Sequence, residues 1–153
     1  MQPFLVSVFA SIALAAGSVS FPKEFREWAH VKSATILAGH PAFATDGGQH
    51  HIYANPAALI GYRTGNYADG AIIVYELTDI QETNGVVNEG ARKRVDVMVR
   101  DAKRFASTGG WGFGRFMGTN QTEQMLDEKG AAACFACHGR QTAKSFVFSA
   151  FRE

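Results

Sequence analysis

Cysteine is scarce in this chain, and its scarcity excludes a whole class of small folds. The 153 residues include two cysteines, Cys134 and Cys137, whereas a small secreted domain that is held together by disulfides uses several pairs. Neither sign of charge predominates, because the net charge is +1. Such a balance provides no electrostatic attraction to nucleic acid or to an anionic membrane, so neither is expected as a partner.

Charge is missing altogether from residues 1–20, in which an apolar run from Phe4 to Ala16 is followed by small residues. The run is too short to span a membrane and is typical of a cleaved secretory signal, although the positive residues that usually precede such a run are absent. We therefore expect residues 1–20 to be a signal peptide, with an uncleaved anchor as the alternative. The remaining residues 21–153 are then expected to form one exported, periplasmic domain without stable membrane association.

The two cysteines belong to the five-residue motif Cys-Phe-Ala-Cys-His, which runs from Cys134 to His138. This spacing is the one at which c-type haem is attached covalently, with the histidine as an axial ligand of the iron. A zinc site would need two further ligands, for which His50 and His51 are distant candidates. A thioredoxin-like redox pair would follow a strand in a βαβ unit. The motif and the signal together predict one covalent haem c, bound by Cys134, Cys137 and His138.

Residue patterns predict an α+β fold, mainly an antiparallel β-sheet with peripheral helices, in a single haem-binding domain. Strands are predicted at residues 51–53, 71–77, 94–100, 109–114 and 146–151. The second is apolar on both faces and therefore central, and the fourth is rich in glycine and therefore an edge. Helices are predicted over residues 21–38, 57–62 and 122–129, and loops over 39–49 and 84–90.

The chain resembles the cytochrome P-460 family over nearly all of residues 21–153. The segments that carry the resemblance, in the order of the family, are His51 to Asn55, Asp69 to Val74, Val95 to Val99, Gly109 to Phe113, Ala133 to His138 and Val147 to Ser149. The resemblance implies a mainly β-sheet, typically dimeric scaffold and a five-coordinate haem with His138 as proximal ligand. Members of the family either oxidise hydroxylamine, as cytochromes P-460 do, or bind nitric oxide, as cytochromes c′-beta do.

A lysine separates these two groups, because in the oxidising group its side chain is bonded to the porphyrin edge. The resemblance places that position near Tyr75, and the chain has no lysine between Lys32 and Lys93. This departure favours the nitric-oxide-binding group. A tyrosine is chemically able to form a cross-link to haem, so Tyr75 is a candidate catalytic residue. A tyrosine that packs against the core with its hydroxyl hydrogen-bonded is the simpler interpretation.

Hydroxylamine oxidation also needs a proton acceptor. Glu76 and Asp96 are the candidates, since they are the acids within the two strongest predicted strands. Pairing with Arg94 or Arg100, or exposure on a solvated sheet face, is the simpler interpretation of both. His50 and His51 are further candidates for a distal pocket, although a histidine pair near a loop is usually polar surface.

Three other residues have predicted roles around the cofactor. Phe43 is a candidate for the distal wall, Arg140 for a partner of a haem propionate, and Met98 for a sixth iron ligand. The sequence thus predicts a homodimeric c-type cytochrome that binds nitric oxide or similar small nitrogen ligands, with a cytochrome as a candidate redox partner. The alternatives are a hydroxylamine-oxidising enzyme with a cross-linked haem and a six-coordinate electron carrier that uses Met98.

Overall fold

The computed structural model describes residues 18–152, so residues 1–17 of the predicted signal peptide lie outside the described residues. A five-stranded sheet in the order β1-β2-β3-β4-β5 forms the centre, and every neighbouring pair is antiparallel. The strands are β1 Ala29–Ile36, β2 Gly48–Ala54, β3 Ile72–Thr83, β4 Val86–Arg100 and β5 Trp111–Met117. The α-helices within the described residues are α1 Phe43–Asp46, α2 Pro56–Thr64 and α3 Glu128–His138. This architecture confirms the predicted α+β class.

The sheet has two differently covered faces because successive side chains of a strand point to opposite sides. One face, here called the helix face, packs against α2, α3 and the C-terminal segment through an apolar cluster that includes Ile73, Met98, Trp111 and Phe113. The other, called the N-terminal face, packs against residues 19–28 through a cluster that includes Val74, Val97 and Phe116. Strand β3 is buried from both sides, as predicted from its apolar residues.

The predicted helix over residues 21–38 is wrong. Only Phe25–Glu27 form a short 3₁₀ helix, and β1 occupies Ala29–Ile36. The apolar spacing around Trp28 suits a helix, but the following residues include the β-branched Val31, Thr35 and Ile36, which favour a strand. Pairing along the whole of β2 then outweighs the local helical pattern.

The predicted loop over residues 84–90 is also wrong, because β3 and β4 are joined by a turn of two residues. Asn84 and Gly85 both have positive φ angles, 53° and 76°, and Thr83 pairs directly with Val86. Two positive φ angles are the requirement of a type I′ hairpin turn, for which Asn-Gly is the preferred sequence. Both strands were predicted, but β4 begins eight residues before position 94 and is correspondingly longer.

Two predictions near the C-terminus are wrong as well. Residues 122–127 are not helical, because the backbone N–H of Met125 donates a hydrogen bond to Arg115 O on β5 and so follows that strand. The predicted strand over 146–151 is absent, and the segment follows a 3₁₀ helix, Gly139–Lys144, as irregular chain. The predicted loop 39–49 contains the single turn α1 and the first residues of β2. Helix α2, by contrast, was predicted correctly, and Gly65 ends it.

No helix within residues 18–152 is long and apolar enough to cross a membrane.

Candidate functional site

Helix α3 carries the Cys-X-X-Cys-His motif. It begins after Asp127, whose side chain accepts a hydrogen bond of 2.7 Å from the backbone N–H of Gly130, as an N-cap residue does. Cys134 and His138 are four residues apart and therefore lie on one side of the helix. Both cysteines are free; Cys134 is half-buried and Cys137 is exposed. Burial raises the pKa of the Cys134 thiol. The motif thus presents two cysteine side chains and one imidazole from about one helical turn.

The imidazole of His138 is held in one tautomer. Its Nδ1 lies 2.7 Å from the carbonyl oxygen of Phe146, and a carbonyl only accepts, so Nδ1 carries the proton and Nε2 is left free to bind a metal. The ring lies between Phe113 and Phe148, at centroid distances of 5.2 and 5.0 Å. Burial lowers the pKa of His138. Its surroundings therefore favour the neutral imidazole that metal ligation requires.

A cleft of about 490 Å³ opens beside Cys134, between α1, the helix face of the sheet and α3. Its lining residues are Thr45, Asp46, Arg94, Arg115, Leu126, Gly130, Ala133 and Cys134. One wall is helical and contains a thiol, and another is formed by charged side chains of β4 and β5. Within the attachment motif, Cys134 is the residue that lines this cleft.

A network of four charged side chains forms the polar wall of this cleft. Arg94, which is 9% exposed, donates from Nε to Asp96 at 2.8 Å, from Nη1 to Thr45 O at 2.6 Å and from Nη2 to Asp46. Arg115 donates to both oxygens of Asp96, at 2.5 and 2.9 Å. Burial raises the pKa of Asp46, but hydrogen bonds from Thr45 and Arg94 outweigh burial and lower it overall. The network ties α1 to the sheet and occupies both oxygens of Asp96.

Tyr75 lies on the same face, directly opposite Asp96 in the pairing of β3 with β4. Its ring stacks on His50 of β2 at a centroid distance of 4.8 Å, and the guanidinium of Arg94 lies 5.6 Å from its ring centroid. Burial raises the pKa of Tyr75 to about 12. His50 has a buried Nδ1 without a hydrogen-bond partner among the described residues, and burial lowers its pKa. The structure thus brings Tyr75, His50 and Asp96 together beside the cleft.

Other predicted site residues lie elsewhere. Glu76 is on the N-terminal face, fully buried, and accepts a hydrogen bond of 2.7 Å from Arg26. His51 is also on that face, opposite Glu76. Phe43 is 43% exposed and lines a second cleft, of about 480 Å³, on the other side of α1. Arg140 is exposed. Their predicted roles stay predictions.

Met98 is the remaining candidate, and it is 9% exposed within the apolar cluster of the helix face. The sequence interpretation missed Asp46, Arg115 and Phe113 as neighbours of the site. No local pattern marks them, because the register of β5 against β4 places Arg115 opposite Asp96. The register is a tertiary property that residue spacing does not provide.

The side chains present fit a covalently attached haem. Two thiols are one helical turn apart, an imidazole with a free Nε2 follows them, and a cleft adjoins the first thiol. Thiols and an axial histidine are the donor set of c-type haem. The buried Nδ1 of His50, which has no hydrogen-bond partner within residues 18–152, adds a polar atom on the same face of the sheet.

Comparison with known protein families also points to haem c as the group that this site holds. No curated protein matches the chain. The sequence model of the family described as Cytochrome P460 matches residues 22–149, which include all five strands and the attachment motif. That family implies covalently bound haem c. The chain therefore belongs to the cytochrome P460 family and is a c-type haem protein.

Proposed function

We propose that the protein is an exported monohaem cytochrome of the c′-beta type that binds nitric oxide or a similar small nitrogen ligand. Cys134 and Cys137 attach the haem, and His138 is its protein ligand through Nε2. The bound haem supplies an iron atom with one coordination position open to a small ligand. The cleft beside Cys134 provides the space in which the chain holds this group.

The observation that carries the proposal is that neither Asp96 nor Glu76 is placed to accept protons beside the attachment motif. Hydroxylamine oxidation requires a group that accepts protons. Both oxygens of Asp96 already accept hydrogen bonds from Arg94 and Arg115, and a carboxylate that is shared by two arginines is strongly held in place. Glu76 lies on the opposite face of the sheet. Neither predicted acid is therefore a free base beside the attachment motif, which supports ligand binding over catalysis.

The side chains near the cleft also support an open coordination position. Arg94 and Arg115 stay protonated and are donors only, so they cannot coordinate iron. Met98 packs among apolar side chains that include Phe113 and Ile73, and methionine at such a position usually serves packing. These arrangements disfavour the six-coordinate electron carrier.

The deciding experiment is visible spectroscopy of the full chain matured in a host with c-type haem attachment machinery. The ferric and ferrous spectra and a pyridine haemochrome would be recorded, followed by titration with nitric oxide and an assay of hydroxylamine turnover. We expect high-spin spectra, a normal c-type haemochrome, stoichiometric nitric oxide binding and no turnover. Low-spin spectra without nitric oxide binding would overturn the proposal.

Mass spectrometry of the purified protein would show whether residues 1–20 have been removed, and light scattering would show whether it is a homodimer.

A second function is favoured by the position of Tyr75. Its ring stacks on His50, lies opposite Asp96 in the pairing of β3 with β4 and is close to Arg94, which lines the cleft. If the phenol were bonded to the porphyrin, the ferrous band would be strongly red-shifted and the haemochrome abnormal. Tyr75→Phe would restore a normal haemochrome and abolish hydroxylamine oxidation. Tyr62→Phe is the matched control, because the Tyr62 hydroxyl is hydrogen-bonded to Ser149 and does not line the cleft.

A further inference from the structure

A second group of ligand-type side chains lies on the N-terminal face of the sheet, away from the attachment motif. His30 and Ser33 belong to β1, and His51 belongs to β2. The Nε2 atom of His30 lies 2.7 Å from Ser33 Oγ, and the Nδ1 atom of His51 lies 2.6 Å from the same oxygen. The ring centroids of the two histidines are 6.0 Å apart. Two imidazole nitrogens from adjacent strands therefore converge on one point.

A β-bulge produces this convergence. Residues 30 and 33 of a regular strand would point to opposite faces, since side chains alternate. The pairing of β1 with β2 shifts between His30 and Lys32, and the extra residue turns His30 to the side on which Ser33 lies. Bulges of this kind re-aim side chains and are frequent beside functional sites. The ring of His30 also packs against Tyr53, at a centroid distance of 5.8 Å.

Glu89 of β4 lies against the side of the His51 ring that is turned away from Ser33. Its carboxylate contacts Nε2 of His51, although the two groups are not aligned as a hydrogen bond, whereas Nδ1 of His51 faces Ser33. A histidine that binds a metal through one nitrogen usually donates its other N–H to a carboxylate. Glu89 therefore lies where the outer support of a metal-binding His51 is expected.

We propose that His30 Nε2 and His51 Nδ1 form a binding site for a divalent transition ion of the zinc and copper class. Imidazole is a preferred ligand of these ions. An ion between the two nitrogens displaces the Ser33 hydroxyl from them, and water completes the coordination. No group of three or more His, Cys, Asp or Glu side chains in residues 18–152 is arranged to hold a metal, so two imidazoles are the protein's main contribution.

The site is open to solvent, and it is independent of the haem. His30 and Ser33 are exposed, whereas the His51 side chain is 14% exposed and so is held by its surroundings. The ligands are on the face opposite Tyr75 and Met98, because His51 pairs with Glu76. Ion binding here is therefore expected to leave the haem spectrum unchanged.

The test is titration of the tag-free, haem-loaded protein with Zn²⁺ by calorimetry and with Cu²⁺ by electron paramagnetic resonance. We expect one ion per chain and a Cu²⁺ signal with coupling to two nitrogens. His30→Ala and His51→Ala should each abolish this signal. Glu89→Gln should weaken Zn²⁺ binding about 10- to 100-fold, as loss of an outer-shell carboxylate does.

Two variants make the result specific. His40→Ala removes an exposed histidine of the loop before α1 and should leave Zn²⁺ affinity unchanged. Ser33→Ala removes the hydroxyl that is hydrogen-bonded to both rings, and it should preserve or increase the affinity for Zn²⁺. If the two histidines served only to hold Ser33 in place, the natural chain would not bind the ion. Equal Zn²⁺ affinity of the natural chain and the His30→Ala/His51→Ala variant would overturn the proposal. The haem spectrum and the urea midpoint of each variant verify that it is folded.

Discussion

The Nδ1 atom of His138 lies 2.7 Å from the carbonyl oxygen of Phe146, and the backbone that presents this oxygen is in an uncommon conformation. Ser145 and Phe146 both have positive φ angles, 51° and 68°, which few residues other than glycine adopt. Such conformations persist where the surrounding structure enforces them. Trp111 Nε1 donates to Ser145 O at 3.0 Å, and Ser145 Oγ donates to Gly65 O at 2.9 Å. The turn is therefore fixed from two sides and aims one carbonyl at the ligand histidine.

Gly109→Ala should disturb this turn. A Cβ at Gly109 would lie 2.6 Å from the Phe146 ring, and the residue has a φ of 65°. We expect a cost of about 1–2 kcal/mol from the backbone conformation and a further 1–3 kcal/mol from the overlap. The free energy of unfolding in urea and the reduction potential of the haem would both be measured.

Gly39→Ala is the matched control, because Gly39 has a φ of 95° with nothing within 4 Å of the added Cβ. It should show the backbone cost alone and an unchanged potential. Equal losses of stability in the two variants would mean that Phe146 is not confined by Gly109.

Trp111→Phe should destabilise the protein by about 1–3 kcal/mol, because it leaves Ser145 O without its donor and leaves a gap in the core. Trp111 is fully buried. Urea unfolding followed by circular dichroism measures the loss. Because the Ser145 turn supports the His138 bond, the ferric spectrum should change as well. A loss of stability without any spectral change would show that Trp111 acts on the core alone.

Met98→Leu should leave the ferric and ferrous spectra and nitric oxide binding unchanged. The substitution conserves volume, so its effect on unfolding should be under about 1.5 kcal/mol. Met98 packs against Ile73 and Phe113 in the helix-face cluster, where leucine fits equally. A shift from low-spin to high-spin spectra in this variant would instead identify Met98 as an iron ligand.

Acid should destabilise the protein partly through His50. Burial lowers the pKa of His50, and the charges of Lys32 and His51 lower it further. The folded state therefore favours the neutral ring, and this contribution to stability is complete above the ordinary pKa of about 6.5. It is lost as the pH falls from there toward the lowered value. Unfolding free energies measured across this pH range give the slope of stability against pH.

His50→Gln should make that slope shallower, whereas His40→Gln, at an exposed site, should leave it as in the natural chain. An identical slope in the His50→Gln variant would mean that other groups account for the whole pH dependence.

Much of the fold follows from the sequence pattern. The apolar run at residues 71–77 and the alternation at 94–100 predict the two central strands, because the period of two is a local signal. The glycines at 109–114 predict an edge strand that other groups approach closely. A Cβ at Gly112 would in fact lie 2.3 Å from the Phe105 ring. The hairpin turn also had a local signal in Asn84-Gly85, which the predicted loop over 84–90 overlooked.

The wrong secondary-structure predictions lie in segments whose local helical preference is weak and whose conformation is set by pairing with a distant strand. Residues 29–36 are a strand because β2 lies beside them, and residues 122–127 are extended because they follow β5. The same limit applies to the site. The attachment motif is local, since Cys134 and His138 are one helical turn apart, and it is readable without a structure.

The sequence by itself determined the family, the strands at residues 71–77 and 94–100 and the residues that are equipped to hold haem, because the strand periodicity and the attachment motif are both local patterns. Only the tertiary structure decided that Asp96 is shared by Arg94 and Arg115 and that Glu76 faces the other way. It also decided that a bulge brings His30 to His51. Strand register places these side chains together, and a register is fixed by packing across the whole sheet.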